Sequence, residues 1–351
     1  MIELKSREEN KDLNNKPRIV GIEILRMFLC FRIVLLHYYS SKNIYILKLK
    51  RNQYQVSCFF FISFYFLYPI ISQVNAKKLL LRLERLLIPY IIYPILVWFI
   101  NNLMFLLFKY NRFNRLLTLY ELKIHLIVGK GIFGIGILWF HFNLIILTLL
   151  FFISSFFLKK HFLSFFRIIA YFSYIFQYSG KNYNFFKQFK INIFMSVGNL
   201  LETLPLAIFS FFLASNNFIC FVLKKSKIYI IFSCFLLYLI FNFNVFSNLK
   251  GYSSPGIKQL IISFLMFTNF FIISIENKNI QLNVILFFIR QITRYTQGIY
   301  CLHFLIQYYM KLKFDRNGTF IGCIILYIIS YFISFIGFKI FEKSKLKYLF
   351  A

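Results

Sequence analysis

Four ionisable side chains, Glu23, Arg26, Arg32 and His37, lie in the first apolar run of the chain, from Ile19 to Tyr39. A charged group at membrane depth costs at least ~2.5–3.5 kcal/mol on insertion scales, so it persists there only with a partner or a task. At ~100° per residue, Glu23, Arg26 and His37 fall within an arc of roughly 60°, while Arg32 points elsewhere. Eleven residues of helix rise ~16 Å, so Arg26 and His37 share a face without touching. Such a stripe describes a polar cavity with two stations, a guanidinium that can hold an anion and an imidazole that can move a proton. The alternative is plainer: Arg26 pairs with Glu23 three residues away, and His37 sits among lipid headgroups.

Three further patterns carry polar groups into apolar surroundings. Arg82 and Arg85 stand one turn apart in Lys77-Lys78-Leu-Leu-Leu-Arg82-Leu-Glu-Arg85, just before Pro89-Tyr90. Paired guanidiniums suit a phosphate-bearing ligand, although a basic cluster also serves simply to fix membrane topology. Trp139 and His141 open another apolar run, in Leu138-Trp139-Phe140-His141-Phe142-Asn143. Trp139 alone is what an interfacial aromatic belt requires, and His141 either adds a polar group to a pocket or faces headgroups. In Thr296-Gln-Gly298-Ile-Tyr300-Cys-Leu-His303, Tyr300 and His303 are neighbours on a helix surface. Gly298 permits another helix to come close, so the same segment also reads as ordinary packing. Glu202 lies near the middle of a further apolar run, where a structural pairing with Arg26 or Arg167 is the expected role.

The elements that must position these groups are membrane helices. The chain of 351 residues is 60% hydrophobic with a mean hydropathy of +0.68, well above the composition of soluble domains. Apolar runs of spanning length occur at 19–40, 54–73, 86–108, 135–158, 162–179, 191–214, 228–247, 257–275, 283–309 and 319–341. The fold class expected is all-α, a polytopic membrane protein with about ten transmembrane helices. Residues 1–18 form a polar cytoplasmic tail, 19–342 the transmembrane domain and 343–351 a basic tail. The first run lacks a small-residue cleavage site and is expected to be retained as a helix. The connection 109–134 has an amphipathic look, with Leu116, Leu117, Leu119, Leu122 and Leu126, and is expected along the interface.

The net charge of +30 comes from 41 Lys and Arg in short loops between apolar runs, which suits anionic headgroups rather than nucleic acid. The six cysteines show no metal-ligand or disulfide spacing, so no metal is expected. The abundance of Phe, Tyr, Lys and Asn looks like compositional drift, so single residues of those types carry no functional weight. With the N-terminus inside, the runs beginning near 19 and 283 share a direction. His37, His303 and the Trp139-His141 pair then reach the outer half of the membrane, with Arg82 and Arg85 at the inner mouth.

These patterns resemble the acyltransferase-3 family. The residues that carry the resemblance are Gly21-Ile-Glu-x-Leu-Arg26 with His37, Arg82-x-x-Arg85 before Pro89-Tyr90, Leu138-Trp139-Phe140, and Thr296-x-Gly298-Ile299-Tyr300-x-Leu302-His303. They stand in family order over most of the chain. Glu23 replaces the usual Asp, His141 the usual Leu, and Thr296 a frequent Ser. The resemblance implies an integral membrane O-acyltransferase, most often an O-acetyltransferase, of the bacterial inner membrane. It would modify a polysaccharide or lipid-linked carbohydrate of the cell envelope, alongside glycan-assembly enzymes. The donor substrate would be acyl-CoA, with no bound cofactor. Arg82 and Arg85 would hold its phosphates, Arg26 would bind deeper, and Glu23 would hold Arg26. His37 would act as general base or be transiently acylated, with Tyr300 or His303 orienting it or stabilising the oxyanion. A transporter or flippase of a lipid-linked sugar, with the ionisable stripe as its pathway, is the competing reading.

Overall fold

The computed structural model describes residues 19–38, 55–109, 115–128, 138–178, 192–215, 226–242, 254–276, 283–313 and 320–350. Every regular element among them is helical. In chain order these are α1 (Val20–Tyr38), α2 (Gln55–Ser72), α3 (Ala76–Phe108), α4 (Leu119–Val128), α5 (Leu138–Leu158), α6 (Phe162–Tyr178), α7 (Asn192–Ser215), α8 (Ser226–Asn242), α9 (Ser254–Glu276), α10 (Asn283–Arg294), α11 (Thr296–Lys313) and α12 (Phe320–Ile340). Short 3₁₀ turns at Lys159–His161 and Lys345–Leu349 complete the set.

Helices α2, α3, α12 and, from Trp139, α5 are long and apolar enough to cross a membrane. The apolar stretches of α6, α7, α8 and α9 are shorter: Phe162–Phe172, Thr203–Ser215, Ile228–Ile240 and Lys258–Ile272. The all-α, multi-span expectation holds, whereas the count of about ten is not established by these helices. Helix α1 has spanning length but carries the three formal charges of Glu23, Arg26 and Arg32.

Helix α12 shows which solvent the fold is built for. Ser330 and Ser334 are fully buried, each donating its hydroxyl to the carbonyl one turn back, Leu326 O and Ser330 O. Phe332, Ile333 and Ile336 face outward at 40–55% exposure. In water that arrangement would be inside out. In lipid, apolar groups gain nothing by turning inward, and small or hydroxylated residues go where helices must approach closely. Helix α2 sits centrally, packed against α1, α3, α5, α7 and α9. Its Phe60, Phe61 and Phe64 are buried, with Phe64 edge-on to Phe151 and Phe211 and Phe61 against Phe267. Aromatic pairs of this kind contribute about 0.5–1.5 kcal/mol each beyond simple burial.

One sequence expectation is corrected. The apolar run 283–309 is not one helix. It breaks at Tyr295, whose amide turns back to Ile292 O, into the strongly amphipathic α10 and the helix α11. The described part of the connection after α3 packs back on that helix. A capping box starts α4, with Thr118 N donating to Glu121 Oε2 and Glu121 N to Thr118 Oγ1. Trp98 and Asn102 both donate to Leu117 O, and Tyr90 OH donates to Leu126 O. Leu117 is therefore buried and Leu126 packs on the core, while Leu116 and Leu119 stay exposed.

The basic segment after α12 also has a built structure. Ser344 caps the 3₁₀ turn by accepting from Leu346 N, Leu349 is buried, and Tyr93 OH donates to Leu349 O at 2.6 Å. Phe350 fits between two glycines. A Cβ on Gly298 would lie 2.5 Å from Ser334 Oγ and 2.7 Å from Phe350 O, and one on Gly337 would lie 2.5 Å from the Phe350 ring. Gly298→Ala therefore meets backbone that cannot swing aside. Overpacking of this kind should cost about 1–3 kcal/mol. Thermal unfolding in detergent and protease sensitivity after α12 would register it, and an unaltered melting curve would contradict the packing described.

Candidate active site

Helices α1 and α11 run parallel, and the ionisable stripe of α1 faces α10 and α11. Glu23 Oε2 lies 3.8 Å from Arg290 Nε on α10. One turn on, Arg26 Nη2 donates to Thr296 Oγ1 at 3.1 Å, and Cys30 Sγ contacts Thr296 O. At the far end of α1 the rings of His37 and His303 stand 5.6 Å apart, and Gln307 Nε2 donates to His37 O at 2.7 Å. The three residues that helical periodicity puts on one arc thus meet one continuous surface, extending from α10 along α11.

Around His37 the rings continue inward as a string. Tyr300 lies 6.2 Å from His303 by ring centroids, and His141 lies 6.2 Å from Tyr300. His141 and His303 are buried, whereas His37 at the helix end is exposed. His303 Nδ1 lies 3.1 Å from Ile299 O. A carbonyl only accepts, so Nδ1 carries the proton, and in a neutral ring Nε2 keeps the lone pair. His141 Nδ1 and Asn143 Oδ1 are buried and meet no hydrogen-bond partner among the described residues, while Asn143 Nδ2 donates to Thr203 Oγ1. Trp139 does not join this string. Its ring packs on Phe60 of α2 at 5.7 Å, a supporting contact one layer away.

The guanidinium end is assembled by the start of α11. Thr296 meets Arg26, and the next residue, Gln297, donates to the backbone carbonyl of Arg85 at 3.1 Å. Arg26 and Arg85 therefore flank one dipeptide, a relation that spacing alone could not show. Arg82 and Arg85 diverge. Arg82 turns inward and donates Nη2 to Ser63 O on α2, while the Arg85 guanidinium is exposed above the Tyr348 ring. The side chain of Glu202 lies outside the described residues, and Arg167 stacks over Phe212. Sequence reading missed Arg290, Gln297, Gln307 and Tyr348. Gln307 was findable, since it stands four residues beyond His303 and on the same helical face. Among the described residues, no cluster of three or more His, Cys, Asp or Glu is arranged to hold a metal.

A family model described as an acyltransferase domain, that of the acyltransferase-3 family, matches residues 19–339. The chain belongs to that family. Together with the apolar helices, the match makes it a membrane acyltransferase. No curated protein and no solved structure matches it significantly. In this acyltransferase-3 chain, residues from three of the four motif segments contact α11: Arg26 and His37 of α1, Arg85 of α3, and Phe140 and His141 of α5. The fourth segment is the start of α11 itself. The turn holding Tyr348 and Phe350 lies beyond the region matched by the acyltransferase-3 model.

Proposed function

We propose that the protein is an O-acyltransferase, most simply an O-acetyltransferase, that moves an acyl group from acyl-CoA to a hydroxyl of an extracytoplasmic or lipid-linked carbohydrate. The observation that carries this reading is the two-ended seam between α1 and α11. Arg26 is held by Thr296 at one end, and His37 stands beside His303 at the other. About 16 Å of helix separates the two stations, enough to keep an anionic donor head apart from the acceptor while a long flexible arm spans the gap. The Arg26 and Arg85 end faces the cytoplasm in this reading, because the N-terminal tail and Lys77–Arg85 hold the densest cations.

In this mechanism Arg85 and Arg26 bind the donor's phosphates and the start of its arm. Arg82, bonded to Ser63 O, contributes positive potential behind them rather than a direct fork. Glu23 lies between Arg290 and the position of Arg26 and keeps that end of α1 oriented. At the other end the acceptor hydroxyl gives its proton to His37 as its oxygen attacks the thioester carbonyl carbon. The C–O bond forms, the C–S bond breaks, and the CoA thiolate takes up a proton on leaving. Tyr300 offers its hydroxyl to the transient oxyanion, His303 orients His37 beside it, and His141 widens the polar lining.

Membranes containing the protein should release free CoA thiol from acetyl-CoA only when an acceptor glycan is present. Surface glycans of a deletion strain should lack the ~42 Da acetyl increment that acyl transfer adds. Proteoliposomes that move a lipid-linked sugar without any acyl donor, and release no thiol, would replace this reading with transport.

A further inference from the structure

The segment after α12 is built against Arg85, an exposed residue of the proposed donor end. Arg85 Cζ lies 5.5 Å from the centroid of the Tyr348 ring, within the range at which an aromatic face attracts a guanidinium. Lys347 Nζ lies 5.7 Å from the same ring. The backbone on both sides is tied together, because Gln297 Nε2 reaches both Arg85 O at 3.1 Å and Tyr348 O at 3.5 Å. Lys345 Nζ bonds Glu84 Oε1 at 2.6 Å, which occupies the one carboxylate adjacent to Arg85 in sequence. Leu349 and Phe350 anchor the turn in the core below, against Tyr93, Gly298 and Gly337.

We infer that Tyr348 is a positioning residue for the donor site: it holds the Arg85 guanidinium over its ring so that the exposed N–H edge can bind a phosphate of the acyl-CoA. A long arginine side chain at a membrane surface otherwise samples many rotamers, and fixing it before the ligand arrives removes that ordering cost from binding. A cation–π contact suits the purpose, because the ring attracts the guanidinium without using up its N–H donors, which stay available for bidentate contacts. The Lys345–Glu84 pair complements it. With that carboxylate engaged, Arg85 is not drawn off into an ion pair with its own neighbour. Lys347 adds a second cation beside the same ring. The segment thus serves as a wall of the donor mouth, though it lies outside the matched acyltransferase region.

This inference rests on the proposed use of acyl-CoA, and its test separates the two. Affinity for CoA, and KM for acetyl-CoA with kcat, are measured on the purified full chain in zwitterionic nanodiscs. The variants are Tyr348→Leu, Tyr348→Phe, Arg85→Ala and the double variant Tyr348→Leu/Arg85→Ala. Tyr348→Leu should weaken CoA binding and raise KM about fivefold, with kcat changed less than about twofold, the size expected of one partly exposed cation–π contact. Tyr348→Phe, which keeps the ring, should restore wild-type binding. In the Arg85→Ala background Tyr348→Leu should add nothing, because the residue acts through Arg85. Wild-type affinity in Tyr348→Leu, or an equal loss with and without Arg85, overturns the inference while leaving the donor assignment intact. In parallel nanodiscs doped with anionic lipid, a variant that loses retention of that lipid but keeps its KM would make the pair a headgroup site, which also overturns it. A wild-type protein that does not bind CoA at all removes the donor assignment and this inference together.

Discussion

His37→Ala should abolish acyl transfer, with a fall on the order of 10²–10⁴-fold in kcat at unchanged protein level, the range that general-base contributions span. The argument is positional. His37 is exposed at the end of α1, within ring contact of His303. Its backbone carbonyl is fixed by Gln307, so the helix end carrying it is held rather than frayed. His303 is buried and committed through Nδ1 to Ile299 O, which leaves His37 as the imidazole that can meet an acceptor approaching from outside the bundle. His303→Ala should therefore cost less than His37→Ala, because it removes an orienting neighbour and not the proton acceptor. His37→Gln, which keeps size and polarity without a base of useful strength, should be as inactive as the alanine variant. Measuring thiol release and glycan acetylation side by side decides the matter. Full activity in His37→Ala would end the assignment of the base to this residue.

The second large effect is expected at Arg26. Its guanidinium reaches Thr296 Oγ1 from a position one turn from Glu23, within a largely apolar bundle where a replacement cannot recruit water cheaply. Arg26→Ala should lower kcat/KM for acetyl-CoA on the order of 100-fold, as loss of a hydrogen-bonded charge at a partly buried site does. Arg26→Lys keeps the charge but not the planar fork, and should recover only part of it. Thr296→Val is the control for mere packing. It removes the hydroxyl that accepts from Arg26 while keeping the volume, and should produce a much smaller loss than Arg26→Ala. If Thr296→Val and Arg26→Ala lose equally, Arg26 serves the α1–α11 contact and not the donor.

The stripe was legible in the sequence because helical periodicity alone puts Glu23, Arg26 and His37 on one face, and bilayer energetics makes such a face conspicuous. Its partners on α11 were partly legible, since Tyr300 and His303 lie at i,i+3 and near the same level by length of run. The break at Tyr295 was not. No Gly or Pro marks it, and Tyr295 is held instead by tertiary contacts with Tyr331, Phe335 and Phe338. The divergence of Arg82 from Arg85 was also hidden, because it depends on the backbone carbonyl of Ser63, in the helix before, nineteen positions earlier. The docked turn after α12 looked like a solvated basic tail, since its anchors, Leu349 and Phe350, are two apolar residues after a run of lysines. What fixes them is the small size of Gly298 and Gly337, a property of shape that composition does not express.

The contacts of Thr296 and Gln297 also set an order of events. Arg26 meets Thr296, 270 residues later in the chain, and the Arg85 carbonyl meets Gln297, 212 residues later. At synthesis rates of about 5–20 residues per second, that delay is roughly ten to fifty seconds. For that interval α1 must be lodged in or against the bilayer before the contact between Arg26 and Thr296 can form. A helix made early is among the last to be finished.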